Sequence, residues 1–213
     1  MLEVGHLPPA DCPLCPRLLE FRQANRKAFP EFFNEPVPSY GALDARLLIV
    51  GLAPGLKGAN RTGRPFTGDY AGELLYGSLK RHGLAHGTYG ARADDGFELI
   101  GVRISNAVRC VPPENKPLPV EIKTCRTFLI AEIDAMPNLK AILALGQISH
   151  DSVASALSLK KKDHRFAHGA RYKGEKLTLL ASYHCSRYNT NTGVLTEAMF
   201  DAVMAAAKEA AGL

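Results

Sequence analysis

The sequence predicts an α/β fold, built on a central, mainly parallel four-stranded sheet with helices on both faces. Four short apolar runs are typical of strands, and each precedes a stretch whose apolar residues recur at helical spacing. Strands that alternate with helices form βαβ units, which give a parallel sheet. Because 46% of the 213 residues are apolar, one core can enclose the chain. We therefore expect a single domain over residues 1–213.

The first strand is predicted at residues 47–50, where four apolar residues follow one another as in a strand buried on both faces. A loop rich in glycine and proline follows it and extends to Asp69. Its glycines permit positive φ and close approach to a ligand, and open α/β sheets bind ligands at the carboxyl ends of their strands. The loop is therefore a candidate functional site, although an ordinary surface connection is the alternative.

The other elements are predicted from apolar spacing and from the positions of glycine and proline. Residues 17–45 are expected to form an edge element that begins with a helix over 17–26. Further helices are predicted over 71–83, 120–136, 148–157 and 195–211, and further strands over 97–109, 141–145 and 176–181.

The chain is moderately basic, with 26 lysines and arginines against 21 acidic residues. Residues 160–173 concentrate this charge in a predicted loop that contains Lys160, Lys161 and Lys162. Such a segment suits the phosphate backbone of nucleic acid, although charge runs often only solvate a loop. The chain has neither a long apolar run nor an amino-terminal signal core. We therefore expect a cytoplasmic protein with no membrane contact.

Four of the five cysteines have a spacing typical of a metal site. Cys12 and Cys15 form a Cys-x-x-Cys pair, whose thiolates can share an ion, and Cys110 and Cys125 can complete the set. Four thiolates fit either structural zinc or an iron–sulfur cluster, and the spacing does not separate the two. Independent buried thiols and disulfides are the remaining alternatives.

Polar side chains follow three of the predicted strands. Asp69 ends the first loop, Asn106 lies near the end of the second strand, and His184 follows the fourth. Because the carboxyl ends of parallel strands meet at one edge, we expect these groups to line one pocket, with Phe66 as an apolar wall. Each group also has a structural alternative, and for Asp69 it is the N-cap of the next helix.

This combination of groups indicates cleavage of an N-glycosidic bond. A carboxamide reads the edge of a nucleobase, and an aromatic ring stacks on its face. An imidazole N–H stabilises negative charge on a departing heterocycle, while a carboxylate stabilises an oxocarbenium-like sugar or orients water. No lysine in these segments could form a Schiff base, which favours a monofunctional hydrolase.

The segments resemble those of the uracil-DNA glycosylases that carry an iron–sulfur cluster, specifically family 5, also called type B. The resemblance extends over nearly the whole chain. It rests on the four cysteines and on the segments GLAPG at 51–55, NRTGRPFTGD at 60–69, SNAVRCVPP at 105–113 and HCSRYN at 184–189.

The resemblance implies a three-layer α/β/α sandwich that acts as a monomer on damaged DNA and flips the damaged nucleotide into its pocket. It implies a [4Fe-4S] cluster, with an amino-terminal segment contributing Cys12 and Cys15, and with Cys110 and Cys125 as the other ligands. Asp69, Asn106 and His184 would be catalytic. The substrate contacts would be Gly51, Ala53, Pro54, Asn60, Phe66, Asn106 and His184. The DNA contacts would be Ser186, Arg187 and Tyr188. Independently of the resemblance, the charge of the basic segment makes Lys160, Lys161 and Lys162 candidate phosphate contacts.

Three positions distinguish this chain within the wider group. Leu52 stands where family 4 enzymes have glutamate, and Ala53 stands where several other families have Asn or Asp. Because neither side chain can activate water, this role shifts to Asp69, which family 5 enzymes share. The resemblance then implies substrates beyond uracil, such as hydroxymethyluracil, ethenocytosine and deaminated purines. Cys185 replaces the proline that usually follows the motif histidine, and so removes a constraint on φ.

Three alternatives to this function stay open from the sequence. The chain could be a non-catalytic, metal-containing nucleic-acid-binding protein, since Ala53 is inert. It could be a zinc-binding regulator without enzyme activity. It could also be a uracil-DNA glycosylase of the family 4 type.

Overall fold

The computed structural model describes residues 5–213 of the chain. Its strands are β1 (Leu47–Gly51), β2 (Ala85–His86), β3 (Glu98–Leu99), β4 (Val102–Asn106), β5 (Ala141–Leu145), β6 (Arg171–Lys173) and β7 (Thr178–Ser182). Its helices are α1 (Pro16–Ala28), α2 (Ala59–Thr62), α3 (Tyr70–Arg81), α4 (Pro119–Asp134), α5 (Gln147–Ala156), α6 (Arg187–Asn191) and α7 (Glu197–Ala211), with a short 3₁₀ turn at Pro113–Asn115.

The main sheet contains five strands in the order β4-β1-β5-β7-β6. Its strands pair in parallel except for the antiparallel pair of β6 and β7. The predicted mainly parallel sheet is confirmed, but the predicted count of four strands is wrong by one. The additional strand, β6, lies in the segment predicted as a basic loop. It has only three residues at the sheet edge, and a segment this short and polar carries no alternating apolar pattern.

The predicted strand over residues 97–109 is divided in the structure. Its first part forms β3, which pairs with β2 in a separate small antiparallel sheet. Its second part forms β4 in the main sheet. Gly101 separates them with a φ of +66°, a conformation that glycine adopts readily. The apolar pattern continues through this turn, so the break has no signature in the periodicity.

Helices cover both faces of the main sheet. Leu47 and Ile49 pack in one apolar core with residues of α3 and α7. Leu48 and Val50 pack in a second core with residues of α4 and α5. Successive side chains of a strand point to opposite faces, so β1 is buried on both, as a continuous apolar run predicts. The three-layer α/β/α sandwich is confirmed.

A third, smaller apolar cluster joins α1 to the main body. It contains Leu18 of α1 and Phe128 of α4, together with Val108. The segment between α1 and β1 reaches the sheet edge, where Tyr40 forms an isolated antiparallel bridge with Ile104. Among the helices of residues 5–213, none combines the length and the apolar character that a membrane span requires.

Candidate active site

The carboxyl ends of β1, β4 and β7 surround one pocket. It is much smaller than the groove beside it, which suits a single heterocycle rather than a whole nucleotide. Its lining residues are Ala53, Gly55, Ala59, Phe66, Asp69, Ala71, Asn106 and His184. The pocket opens into a wider groove that Lys57, Tyr70, Asn115, Ser186 and Arg187 also line.

Gly51 and Asn106 lie side by side at the ends of β1 and β4, where they are register partners. A Cβ on Gly51 would lie 2.4 Å from the Asn106 Oδ1 and 2.4 Å from the Phe66 Cζ. Real Cβ atoms do not approach other atoms this closely, so glycine is required for Phe66 and Asn106 to occupy these places. Asn106 is buried in the fold, and its side chain lines the pocket. Its donor and acceptor are therefore available to a ligand.

Phe66 presents its ring to the pocket from a backbone with φ of +53°. The left-handed region is costly for a residue with a Cβ, so the surroundings have to hold it there. The ring is 7% exposed and lies against the imidazole of His184, with 6.0 Å between the ring centroids and 26° between the planes. Two aromatic rings thus line one pocket, although they come from distant segments of the chain.

The two carboxylate oxygens of Asp69 lie in different environments. Its Oδ1 accepts a hydrogen bond of 3.3 Å from the Gly72 N–H, so the residue is the N-cap of α3. Its Oδ2 lies over the backbone of the glycine loop, since a Cβ on Gly58 would come within 2.4 Å of it. The capping role predicted as an alternative is therefore present, and it leaves one oxygen facing the pocket.

His184 follows β7, and hydrogen bonds within the segment 184–189 hold its backbone in place. The Asn189 Nδ2 donates to the His184 carbonyl oxygen at 2.8 Å, and Ser186 caps α6 by accepting from the Asn189 N–H. Burial lowers the pKa of His184 from the usual 6.5, and the negative charge of Asp69 opposes this only in part. The imidazole is consequently neutral at neutral pH and retains one N–H to donate.

Some predicted site residues lie elsewhere. Asn60 is fully buried, and its Nδ2 donates to the Asn34 Oδ1 at 2.9 Å, behind the pocket wall. Pro54 is not among the lining residues, and Tyr188 is 74% exposed beyond the groove. The three lysines, Lys160, Lys161 and Lys162, line neither pocket nor groove. Lys161 lies instead 3.5 Å from the carboxylate of Asp151.

Several groove residues were not predicted from the sequence. Tyr70 follows Asp69 and could have been found as the next residue of the first helical turn. Lys57 and Asn115 have no motif signal that would have found them. Asn115 reaches the groove because Glu114 and Asn115 both have positive φ, +54° and +56°, in the turn between Cys110 and Cys125.

The four cysteines predicted as metal ligands lie around one apolar cavity beside α1 and α4. Cys12, Cys15, Cys110 and Cys125 line it together with Leu18, Val108 and Phe128. In residues 5–213, no three His, Cys, Asp or Glu side chains are close enough together to hold a single ion.

One buried cation lies against this cysteine cavity. Arg22 is fully buried, and its Nη1 donates to the Cys110 Sγ at 3.6 Å, while its Nη2 donates to the Cys12 carbonyl oxygen at 3.0 Å. The Arg22 Nε has no partner among the described residues. Burial raises the pKa of Cys110 to about 12, so a metal has to displace a thiol proton when it binds.

A buried ionic network connects the cysteine cavity with the strand that carries Asn106. Glu132 of α4 accepts from Arg103 at 2.7 Å, from Arg109 at 2.5 Å and from Ser105 at 2.8 Å. Arg109 in turn donates its backbone N–H to the Cys125 Sγ at 3.3 Å. The network fixes the end of β4 relative to α4.

Residues 38–208 match the family model described as the uracil DNA glycosylase superfamily. The chain is 44% identical over 209 residues to a type-5 uracil-DNA glycosylase of Thermus thermophilus, covering 95% of this chain and 94% of the relative. It is 41% identical over 213 residues to a type-5 uracil-DNA glycosylase of Mycobacterium tuberculosis, covering 95% and 79%. A type-4 uracil-DNA glycosylase of Pyrobaculum aerophilum is 31% identical over 159 residues, covering 72% and 73%.

Proposed function

The chain belongs to the uracil DNA glycosylase superfamily and, within it, to the type-5 enzymes, and from this membership we propose that it removes uracil from DNA. The enzyme hydrolyses the N-glycosidic bond of a flipped nucleotide and leaves an abasic site, as a step of DNA repair. The observation that carries this proposal is the convergence of Phe66, Asp69, Asn106 and His184 on one small pocket. The whole chain acts as one domain and as a monomer.

Recognition of the base uses the two groups beside Gly51. Phe66 stacks on the face of the flipped base, and the carboxamide of Asn106 hydrogen-bonds its pairing edge. The place of this carboxamide in the pocket lining supports the assignment, because a carboxamide offers both a donor and an acceptor to the edge of a base. Gly51 has no side chain and so leaves space for Phe66 and Asn106. Ala53 lines the same pocket, and Pro54 restricts the backbone of the adjoining loop.

The bond between C1′ and the base nitrogen breaks with both electrons on the departing base. His184, neutral and carrying one N–H, donates to a carbonyl oxygen of the base and stabilises this anion. The Asp69 Oδ2 lies on the sugar side, where its negative charge stabilises the oxocarbenium-like sugar and orients the water that adds to C1′. The proton of that water is released as the hydroxyl forms. Ala53 and Leu52 take no part in this step.

The wide groove accommodates the DNA on either side of the flipped nucleotide. Ser186, Arg187 and Tyr188 enter the minor groove and occupy the vacated space. The exposure of Tyr188 and the position of Arg187 over the ring of Tyr70, 5.3 Å from its centroid, support such a role. Lys160, Lys161 and Lys162 contribute phosphate contacts farther away. Asn60 contributes to the pocket indirectly, because its buried hydrogen bond to Asn34 stabilises the loop that lines the pocket.

We propose that the four cysteines hold a [4Fe-4S] cluster, as the resemblance to the family implies. Their side chains line one apolar cavity beside α1 and α4, so the four thiols lie around the same place, as ligands of one shared group require. The buried Arg22, with its free Nε, supplies a positive charge beside the anionic cluster. When bound, the cluster supplies a rigid cross-link between the amino-terminal segment, the segment after β4 and α4.

Because iron–thiolate sites and DNA both belong to a reducing interior, we assign the protein to the cytoplasm.

The substrate range extends beyond uracil to other deaminated or modified bases. With Ala53 and Leu52 the first segment brings no polar side chain to the pocket, so discrimination between bases rests on Asn106 and His184. Cys185 is fully buried and its Sγ contacts the Ala71 carbonyl oxygen at 3.5 Å. This contact fixes the start of the 184–189 segment without the proline that is usual there.

The proposal is tested with purified protein and a duplex that contains one uracil. Free uracil and an alkali-labile site are expected, and strands that stay intact after alkali would refute the function. Asp69→Asn keeps an N-cap residue but removes the charge, so the rate should fall roughly 100-fold or more while the melting temperature is unchanged. Thr196→Ala, which removes the cap of α7, is the matched control and should leave the rate unchanged. Full activity of Asp69→Asn would make Asp69 a helix cap only.

A further inference from the structure

Phe66 lies in the loop over residues 64–68 and has a backbone conformation that an isolated loop would disfavour. Phe66 has φ of +53° and Gly68 has φ of +93°. The left-handed conformation costs a residue with a Cβ roughly 1–2 kcal/mol. A contact from another segment must therefore select this conformation, and with it the direction of the Phe66 ring.

Two tyrosine hydroxyls make such contacts. The Tyr76 hydroxyl donates to the Pro65 carbonyl oxygen at 2.6 Å, whereas the Tyr89 hydroxyl donates to the Phe66 carbonyl oxygen at 3.3 Å and accepts from the Gly68 N–H at 3.4 Å. Only the Tyr89 hydroxyl contacts the backbone of Phe66 itself, and it bridges both sides of residue 67. Burial raises the pKa of Tyr89 above its usual value, so the hydroxyl keeps the proton that it donates.

Tyr89 lies between β2 and β3, and its own position is fixed by buried charges and rings. Arg64, at the start of the Phe66 loop, forms an ion pair with Asp95 in which both side chains are 3% exposed. Asp95 also accepts from the Gly90 and Phe97 N–H groups at 2.8 and 3.0 Å. The segment that carries Tyr89 is therefore tied to the loop that carries Phe66.

Aromatic packing fills the space between these two segments. The rings of Tyr89 and Tyr76 are stacked with 4.7 Å between their centroids, and the Arg64 guanidinium lies 5.2 Å from the Tyr76 ring and 5.7 Å from the Tyr89 ring. The first turn of α3 closes the site, since a Cβ on Gly72 would come within 2.5 Å of the Tyr89 hydroxyl. These contacts place the Tyr89 ring against the Phe66 loop on the side of α3.

We propose that Tyr89 is a positioning residue, whose hydroxyl fixes the Phe66 ring and thereby sets how tightly the pocket holds the flipped base. It touches neither base nor sugar and acts only through the backbone of residues 66 and 68. This inference rests on the proposed function, in which Phe66 stacks on the base. Phe66 can stack on a base only if its ring is held at a fixed distance from the opposite wall, and Tyr89 provides that constraint.

The test removes one oxygen atom with Tyr89→Phe. Inhibition by free uracil should weaken about five- to tenfold, the loss of roughly one net hydrogen bond, and the KM for uracil-containing duplex should rise by a similar factor. The kcat should change less than about twofold, since His184 and Asp69 are untouched. Tyr40→Phe is the matched control. The ring of Tyr40 also lies against Arg64, but its hydroxyl donates to the Phe97 carbonyl oxygen and not to the backbone of residues 66 or 68. Equal effects in both variants, or none in Tyr89→Phe, would overturn the proposal.

Two further measurements separate this inference from the proposed function. In a Phe66→Ala background, the effect of Tyr89→Phe on inhibition should vanish, and a persistent effect would contradict action through Phe66. Exchange of the Gly68 amide hydrogen, followed by NMR, should accelerate at least about fivefold in Tyr89→Phe and not in Tyr40→Phe. This exchange is measured without substrate. A wild-type protein that released no base would therefore refute the function, while the exchange rates would still decide whether Tyr89 holds the loop.

Discussion

The ring of His184 lies 6.0 Å from the ring of Phe66, centroid to centroid, with 26° between their planes. These residues are separated by most of the chain, and they meet because β1 and β7 end at the same edge of a parallel sheet. The pair defines two walls of the pocket, with Asp69 and Asn106 at its sides.

The acid limb of the pH profile should lie below pH 6.5. Burial lowers the pKa of His184 from 6.5, so the imidazole stays neutral, and competent to donate to an anion, as the pH falls through that value. Single-turnover rates between roughly pH 5 and 8 would locate the limb. In Asp69→Asn, the residual activity should persist to a lower pH still, because the charge that raises the pKa of His184 is gone. A limb at or above 6.5 would contradict the neutral role of His184.

Gly51→Ala should abolish most base release without unfolding the protein. The added Cβ would displace both Phe66 and the Asn106 carboxamide, and small misplacements of positioned groups cost about 100-fold in rate. Rates and melting curves should be compared with those of Gly77→Ala. Gly77 lies in α3, where a Cβ would meet only the end of the Arg81 side chain at 3.4 Å. Near-normal activity of Gly51→Ala would show that these two side chains need not be held so closely.

Glu132→Gln should destabilise the protein by about 3–5 kcal/mol at neutral pH, because two buried guanidinium groups lose their shared carboxylate. Burial alone would raise the pKa of Glu132, but the charges of Arg109 and Arg103 outweigh burial and lower it from 4.5. A depressed pKa means that the stabilisation is present above about 4.5 and is lost as the pH falls through the folded-state pKa. Urea unfolding at several pH values should therefore show a difference from wild type that is constant near neutrality and shrinks in acid. Glu20→Gln, at an exposed position of α1, should show no such difference.

Cys125→Ser should remove the brown colour expected of the purified protein. A [4Fe-4S] cluster absorbs near about 400 nm, and loss of a ligand should release iron in proportion to that band. Cys185→Ser is the matched control, because Cys185 lies in the main core rather than at the cysteine cavity. Its iron content and spectrum should equal those of wild type. A colourless wild-type protein with one zinc per chain would contradict the cluster.

Replacing Lys160, Lys161 and Lys162 with glutamine should flatten the salt dependence of DNA binding. If all three contact phosphates, the slope of log K against log salt should fall by about 2.7, that is, about 0.9 for each contact. Affinity should weaken equally for duplexes with and without uracil, since no base is read. An unchanged slope would identify residues 160–162 as a solvated loop.

Element order and the site edge were predictable because their signals are local. Consecutive apolar residues identify strands β1, β5 and β7, and parallel strands necessarily bring the segments after them to one edge. The strand order alone therefore predicts that Asp69, Asn106, His184 and Phe66 meet. The burial of Asn60 behind them depends on Asn34, a partner 26 residues distant, which no local pattern indicates.

The sequence by itself determined the layers of the fold, the residues at the strand ends and the grouping of the four cysteines. Each of these follows from residue types and their spacing within short segments. Only the tertiary structure decided the edge strand β6, the network around Glu132 and the support of Phe66 by Tyr89. Two- and three-residue strands are too short to show a period, and a hydroxyl that reaches 23 residues back along the chain leaves no pattern in either segment. Contacts of this kind depend on how packed elements meet, which local propensity does not encode.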